Sequence, residues 1–472
     1  MRSTRIFPTG ADPLLSILPP GGGKGGVGGG RPARCLPRGR TLCIIGRSGT
    51  GKTVLAVQCA LRIASSGGKV LYVTVARDPR HVREVAEHLG ASLAEFERRG
   101  LLKLLRITPA ASREGTQQAL LDLTHELMSY SPDLVIVDGI HALFADLDLY
   151  TLLGLFKEGV LRLAEEGELT LVVTADEEGL SLNPAAKQFI VETSDAVVQL
   201  KWSKIGNLRV RTINVLKTFG LEVTWPSREF IVSGELGGAV VLPLPHSLDD
   251  LPGLGDPVKV GLRGLEELLE GGIPRGSVVT IVGPTGAGKR ELAAAISAEV
   301  ANRGERVLVL SFDLPRSDVE ALIERFGLRS DRREFVTVRS WEASSIMVMD
   351  QLAGIMRAVL EARPNFVVIL GYDSLERGVG RPAALRLMRH WFYMSRSRGS
   401  VTLVVGRSDR PEEFVEVCSP FSDIILVIRR VRKNGTTMRE LEVYKSVNPA
   451  AEGRCRGLIV GEDRIEVTPG SG

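Results

Sequence analysis

Residues 46–53 read GRSGTGKT: three glycines, then a lysine, then a hydroxyl. That spacing is suited to holding phosphate. The glycines let consecutive backbone N–H groups close around an anion, the lysine adds a point charge, and the terminal hydroxyl can ligate Mg2+. Gly46, Ser48, Gly49, Thr50, Gly51 and Lys52 are therefore the nucleotide-binding candidates, with Thr53 as a metal ligand. A second segment, GPTGAGKR at residues 283–290, repeats the pattern but places Arg290 where the hydroxyl belongs. Gly283, Thr285, Gly286, Ala287, Gly288, Lys289 and Arg290 thus form a degenerate copy. A third glycine-rich run, GGGKGGVGGG at 21–30, has Gly29 in the lysine position and no strand before it, so it reads as flexible linker.

A metal site needs a second oxygen ligand. Asp138 ends the apolar run LVIV, at the carboxyl edge where open α/β sheets bind ligands, and this is the Walker B position. Its counterpart in the second copy is Leu370, so that copy lacks both Mg2+-directed groups. Two readings of the second loop stay open. It is an empty or weak site, which ranks first, or Lys289 and Arg290 replace the charge of Mg2+ and hold nucleotide without metal. Asp176, Glu177 and Glu178 follow the run TLVVTA at the same edge, as a displaced catalytic carboxylate or, more commonly, as acids opening a helix. His141, just past Asp138, is either structural or a sensor of the terminal phosphate.

The elements that must position these residues occur twice. In each copy the loop lysine precedes the next apolar run, VLYVTVA or VLVLSF, by eighteen residues, with a helical segment between. PDLVIVDGIHAL answers PNFVVILGYDSL, and TLVVTA answers VTLVVG. β-Branched runs alternating with helical segments predict parallel strands buried on both faces, so each half is an α/β domain with a mainly parallel twisted sheet flanked by helices. The expected divisions are a flexible segment at 1–34, a first domain at 35–245, a linker at 246–256 and a second domain at 257–472. The linker lies within LPLPHSLDDLPGLGDP, residues 242–257, where prolines, glycines and acids replace periodic apolar sequence.

Composition narrows the classes. A chain of 472 residues suggests about two or three domains, and a net charge of +4 neither demands nor excludes a nucleic-acid partner. The five cysteines (Cys35, Cys43, Cys59, Cys418, Cys455) form no CxxC pair, which argues against structural zinc or a disulfide framework and fits a reducing compartment. No secretory leader and no run of eighteen apolar residues is legible, so the expectation is a cytoplasmic protein without a membrane partner.

The phrase GLRGLEELLEGGIPRGSVVTIVGPTGAGK, residues 261–289, resembles the opening of KaiC-type and RadA-type domains of the RecA superfamily. The first copy echoes it as TGADPLLSIL and LPRGRTLCIIGRSGTGKT, and the stretch from LYVTVARDPRH to LLRITPA is similar to KaiC throughout. The likeness covers about 430 residues. It implies two tandem RecA-like P-loop NTPase domains, the first with intact Walker motifs, with ATP and Mg2+ as cofactors. It also implies self-association into a hexameric ring with ATP between subunits, and leaves room for an unidentified regulatory protein partner.

The same resemblance exposes departures. Family members activate water with an adjacent glutamate pair at the end of the second strand; the matching residues here are Ala76 and Arg77, and in the second copy Asp313 and Leu314. Asp78, one residue on, is the substitute candidate, and joins Asp138 and Lys217 in the catalytic set. Lys217 comes from the KxRG-like motif that faces a neighbouring subunit's ATP, but its arginine partner is Phe219; the second copy has Lys445 and Val447. The clock autokinase's acceptor pair aligns with Ser419 and Pro420, so kinase activity is not expected. The resulting expectation is Mg·ATP binding at the first domain, slow or absent hydrolysis, and a second domain serving assembly or regulation. The alternative is a RadA- or helicase-like DNA-dependent ATPase in recombination or repair. RRVRK at 429–433 supports it, but no basic and aromatic alternation accompanies that stretch, and DNA ranks second as a partner. No nucleophile and base arrangement points to an enzyme acting on anything other than nucleotide.

Overall fold

The computed structural model describes residues 39–108, 113–144, 154, 157–166, 169–181, 183–218, 227–242, 251–433 and 436–468. The expected flexible segment 1–34, part of the expected linker and Phe219 lie outside them. The chain divides into two compact units whose main boundary falls between Leu242 and Pro243.

In the first unit, β1 (Thr41–Gly46) leads into helix α1 (Lys52–Ser65), and β2 (Val70–Val75) into α2 (Pro79–His88). Then come β3 (Leu102–Ile107), β4 (Leu134–Asp138) and β5 (Thr170–Asp176), followed by α3 (Glu177–Ser181) and α4 (Pro184–Thr193). Strands β6 (Ala196–Ile205), β7 (Leu208–Lys217), β8 (Ser227–Ser233) and β9 (Gly238–Val241) complete the sheet. Its order is β3-β2-β4-β5-β1-β6-β7-β8-β9, parallel from β3 to β6 and antiparallel from β7 to β9. The chain leaves β1 toward β2 on one side and leaves β5 toward β6 on the other. The loops after β1 and β5 therefore part at the carboxyl edge and open a crevice there.

Helix covers both faces, which is why β1, β2 and β4 are buried along their whole length and read as unbroken apolar runs. Each Leu or Ile fully buried in these strands stabilises the fold by about 1.5–3 kcal/mol relative to exposure. The result is an apolar platform whose carboxyl edge carries the loop, Asp138 and Asp176.

The second unit repeats the plan after a short antiparallel ribbon of β10 (Pro257–Val258) and β11 (Ile273–Pro274). Its elements are β12 (Val278–Gly283), α5 (Lys289–Asn302), β13 (Val307–Ser311), β14 (Val336–Ser340), β15 (Phe366–Leu370), α6 (Tyr372–Val379) and β16 (Val401–Arg407). Helix α7 (Pro411–Cys418) and β17 (Ile424–Lys433), β18 (Thr436–Lys445), β19 (Cys455–Val460) and β20 (Ile465–Val467) follow. The sheet order, β14-β13-β15-β16-β12-β17-β18-β19-β20, is that of the first unit position for position. Both units are thus RecA-like α/β layers with a mainly parallel sheet, as the sequence predicts.

Candidate functional site

The first loop is shaped by close backbone approach. A Cβ on Gly46 would lie 2.6 Å from the Leu200 carbonyl oxygen, and Gly49 and Gly51 turn with φ of 76° and 110°, a region most residues avoid. Buried Thr50 donates its hydroxyl to the Arg47 carbonyl at 2.8 Å and tightens the turn. Lys52 opens α1 and folds back over the loop, its Nζ donating to the carbonyls of Gly46 (2.5 Å) and Arg47 (2.9 Å) and pairing with Asp176 at 3.2 Å. Burial pushes the Lys52 ammonium down from its ordinary pKa, and the Asp176 carboxylate opposes that.

Asp138 ends β4 with only 8% of its surface exposed. Oδ2 accepts from the Thr53 hydroxyl at 3.0 Å and from the Tyr72 phenol at 3.1 Å, while Oδ1 accepts from the Thr174 hydroxyl. Thr174 in turn accepts from the Gly139 N–H at 2.9 Å. Burial first, and the neighbouring Asp138 second, raise the Tyr72 pKa far above the ordinary phenol value, so it remains a donor. Sequence reasoning did not single out Tyr72 or Thr174. The signal was available in the repeat, because their register partners in the second unit are the apolar Val309 and Val405.

Thr53 and Asp138 place a hydroxyl and a carboxylate oxygen side by side, and both are hard oxygen donors of the kind Mg2+ takes. The donor set fits that ion. Asp176 serves two neighbours at once: Oδ2 meets Lys52, and Oδ1 caps α3 by accepting from the N–H groups of Glu178 (3.1 Å) and Gly179 (3.3 Å). Burial raises its pKa, but those N–H groups and Lys52 outweigh it and hold the carboxyl below its ordinary value. Glu177 accepts from Gln199 at 2.6 Å, and Glu178 pairs with Arg47 at the surface. His141 accepts the Asp176 N–H on Nδ1 at 3.1 Å, and burial lowers its pKa, so the hydrogen bond assigns the proton to Nε2.

Two sequence-derived catalytic candidates stand in other bonds. Asp78 caps α2, accepting from the Arg80 N–H at 2.8 Å, and its second oxygen pairs with the Arg80 guanidinium at 3.1 and 2.9 Å. The Arg80 side chain, then the Arg80 N–H, hold this exposed carboxyl down to about 2. Ala76, at the first position of the implied glutamate pair, has a left-handed backbone with φ 64° while its N–H still bonds Ile107 at 2.8 Å. Lys217 donates to the carbonyls of Val191 (3.0 Å) and Glu192 (2.9 Å) at the end of α4. Lys445 does the same just beyond α7, reaching the Ser419 and Ser422 carbonyls at 2.7 and 2.8 Å. In both units this lysine ends the second strand of the first antiparallel hairpin, β7 or β18, and ties it to a helix end, where a cation is favoured by the exposed carbonyls.

The second loop keeps the turn, with Gly286 and Gly288 at φ 68° and 97°. Its surroundings are different. Lys289 donates to the Pro284 carbonyl at 2.6 Å, and Arg290 forms an ion pair with Asp313. Leu370, at the Walker B position, is a buried apolar end to β15. A guanidinium and an alkyl chain offer no oxygen to a cation at these two positions. Within RRVRK, Arg429 is committed to Glu412 (2.7 Å) and Glu442 (2.9 Å). Among the described residues, no group of three or more His, Cys, Asp or Glu side chains could hold a metal ion, and no helix is long and apolar enough to cross a membrane.

A family model described as the KaiC ATPase matches the chain twice, over residues 28–245 and 258–470. The chain is similar to the circadian clock oscillator protein KaiC of Picosynechococcus sp., 25% identical over 428 residues, 87% of this chain and 82% of that one. KaiC of Thermostichus vulcanus is 24% identical over 457 residues, 92% and 86% of the two chains. KaiC of Prochlorococcus marinus is 23% identical over 454 residues, 92% and 89%. These likenesses support a KaiC-like ATP-binding protein with two P-loop NTPase domains. The chain belongs to the KaiC ATPase family and carries its domain in tandem.

Proposed function

We infer that the first unit binds Mg·ATP and hydrolyses it slowly or not at all, while the second unit serves assembly or regulation. The observation that carries this reading is the split at the first site. The binding half is complete: the loop N–H groups, Lys52, and the Thr53 and Asp138 oxygens 3.0 Å apart. The water-activating half is missing, because Ala76 and Arg77 stand in for the glutamate pair and Asp78 is held by Arg80. A bound divalent ion would supply charge neutralisation on the phosphates, with Thr53 and Asp138 as the residues that hold it. For the chain's own groups, Lys52 would leave the carbonyls of its loop and turn to the phosphates. Asp176 keeps that ammonium charged in the meantime. His141, with Nε2–H free of the Asp176 contact, is placed to donate a hydrogen bond.

Self-association into a hexameric ring, with nucleotide between copies, belongs to this proposal, as does a regulatory protein partner. ATP then acts chiefly as the ligand that orders the assembly. Light scattering of the purified chain tests the ring: ATP with Mg2+ should drive it to a species of about six chains, and a monomer under all nucleotide conditions would remove assembly from the reading. Turnover is tested in parallel by phosphate release. A rate that matches fast ATPases, lost in Lys52→Ala, would show that a catalytic base is in place and remove slow turnover from the reading.

A further inference from the structure

Register pairs the two loops' surroundings residue by residue. Asp176 sits opposite Gly46 on β1, and Arg407 sits opposite Gly283 on β12, so Arg407 is the counterpart of Asp176. Around the phosphate position, then, Thr53 is answered by Arg290, Asp138 by Leu370, Asp176 by Arg407 and Ala76 by Asp313. At these four positions one positive charge is gained at Arg290, one negative is lost with Asp138, Asp176 becoming Arg407 adds two, and Asp313 removes one, a net gain of three, while Pro284 at the Arg47 position, Leu314 at the Arg77 position and Asp373 at the His141 position run the other way. The hydroxyl shell that satisfies Asp138 goes with it, Tyr72 and Thr174 becoming Val309 and Val405. Together these exchanges turn a site that shares its anion with a cation into one whose cations all belong to the protein.

The loop lysines show the same inversion. Lys52 has Asp176 as an ion-pair partner, whereas Lys289, only 8% exposed, has the Pro284 carbonyl as its acceptor and, among the described residues, no carboxylate within ion-pair range. Burying an ammonium without a counter-charge is costly, and an anion in the loop supplies one. Burial first, then Arg290, push its pKa down to about 8, as expected of an ammonium that lacks a partner. Arg290 is fixed by Asp313, and Arg439 donates to the Gly286 carbonyl at 3.4 Å. Arg407 also pairs with the exposed Asp409 at 3.6 Å, while Asp373 and Glu291 are the carboxylates that act on Lys289 from a distance.

We propose that the second loop is a metal-independent site for a polyphosphate anion, with Arg290 and Arg407 in place of the divalent cation and its carboxylate. The inference deepens the regulatory role proposed for the second unit and rests on that reading. It reverses the ranking from sequence alone, which put an empty site first. What reverses it is the exchange of Asp176 for Arg407.

Equilibrium binding of ATP and of inorganic tripolyphosphate to the full chain in EDTA tests this, with Lys52→Ala, Lys289→Ala, Arg290→Thr and Arg407→Asp variants. The expected result is one equivalent of ATP per chain in EDTA, kept in Lys52→Ala and weakened about ten- to a hundredfold in Arg290→Thr and Lys289→Ala. Arg407→Asp alters an exposed side chain outside the loop, so it keeps the test valid if Lys289→Ala fails to fold. It should weaken binding in the same way. Competition by tripolyphosphate as strong as by ATP identifies free polyphosphate as the ligand class; weaker competition identifies a nucleotide. No binding in EDTA overturns the proposal but leaves Mg·ATP binding at the first loop standing. Binding in EDTA that disappears with Lys52→Ala overturns it too, and also contradicts the metal requirement assigned to the first site.

Discussion

Replacing Asp138 by leucine, the residue at its counterpart position, tests whether the metal shell is one coupled unit. The substitution removes the acceptor shared by the Tyr72 phenol and the Thr174 hydroxyl, both fully buried. Each stranded buried donor costs about 1–3 kcal/mol, or roughly 2–6 for the pair, and burial of the new side chain offsets about 2, leaving a net loss of up to about 4 kcal/mol. For a domain of this size that lowers the melting midpoint by about 2–4 °C per kcal/mol. Adding Tyr72→Phe and Thr174→Val removes the stranded donors and copies the apolar arrangement of the second unit. The Gly139 N–H keeps the Thr174 carbonyl as an acceptor at 3.2 Å, so the triple variant creates no new orphan. Differential scanning calorimetry of the wild type, Asp138→Leu and the triple variant gives the answer. The triple variant should regain half or more of the lost stability; if it melts no higher than Asp138→Leu, the hydroxyls are not coupled to the carboxylate and the shell argument fails.

Asp78→Ala should leave ATP turnover within about twofold of wild type, since Arg80 already occupies the carboxylate, while the loss of the α2 cap lowers thermal stability. A tenfold fall in turnover in a phosphate-release assay would make Asp78 the base. In EDTA, anion binding at the second loop should weaken as pH rises through about 8, where Lys289 loses its proton, and should be strongest below that value. Arg290 and Arg407 oppose the Lys289 charge, and Asp373 and Glu291 favour it. The linked stability has the opposite course: the unfolded lysine holds its proton to about 10.5, so the unliganded second unit gains stability as pH climbs from about 8 toward that value. Flat binding between about pH 7 and 9 would remove Lys289 from the site.

The fold was legible because parallel strands buried on both faces leave long apolar runs, and the repeat gave each run a second witness. The loop and Asp138 were legible for the same reason, as fixed spacings at strand ends. What could not be read was which partner each polar side chain takes. Asp78 looked available as a base because sequence does not show that Arg80, two residues on, closes over it. Lys217 and Lys445 looked alike in their motifs, and the structure shows what they share, a grip on carbonyls at a helix end. Asp176 was noticed as an acid at the right edge. Its exchange for Arg407 lies one residue past the aligned runs TLVVTA and VTLVVG, but its pairing with Lys52 needed the structure.

The central claim is that one chain carries two phosphate loops of opposite metal dependence. Titration of ATP by isothermal calorimetry, with Mg2+ and then with EDTA, on the wild type and on Lys52→Ala, tests it most directly. The account predicts two equivalents with Mg2+, one in EDTA, and loss of only the Mg2+-dependent equivalent in Lys52→Ala. A wild type that binds the same number of equivalents in both buffers, or a Lys52→Ala chain that still binds its Mg2+-dependent ATP, would contradict it.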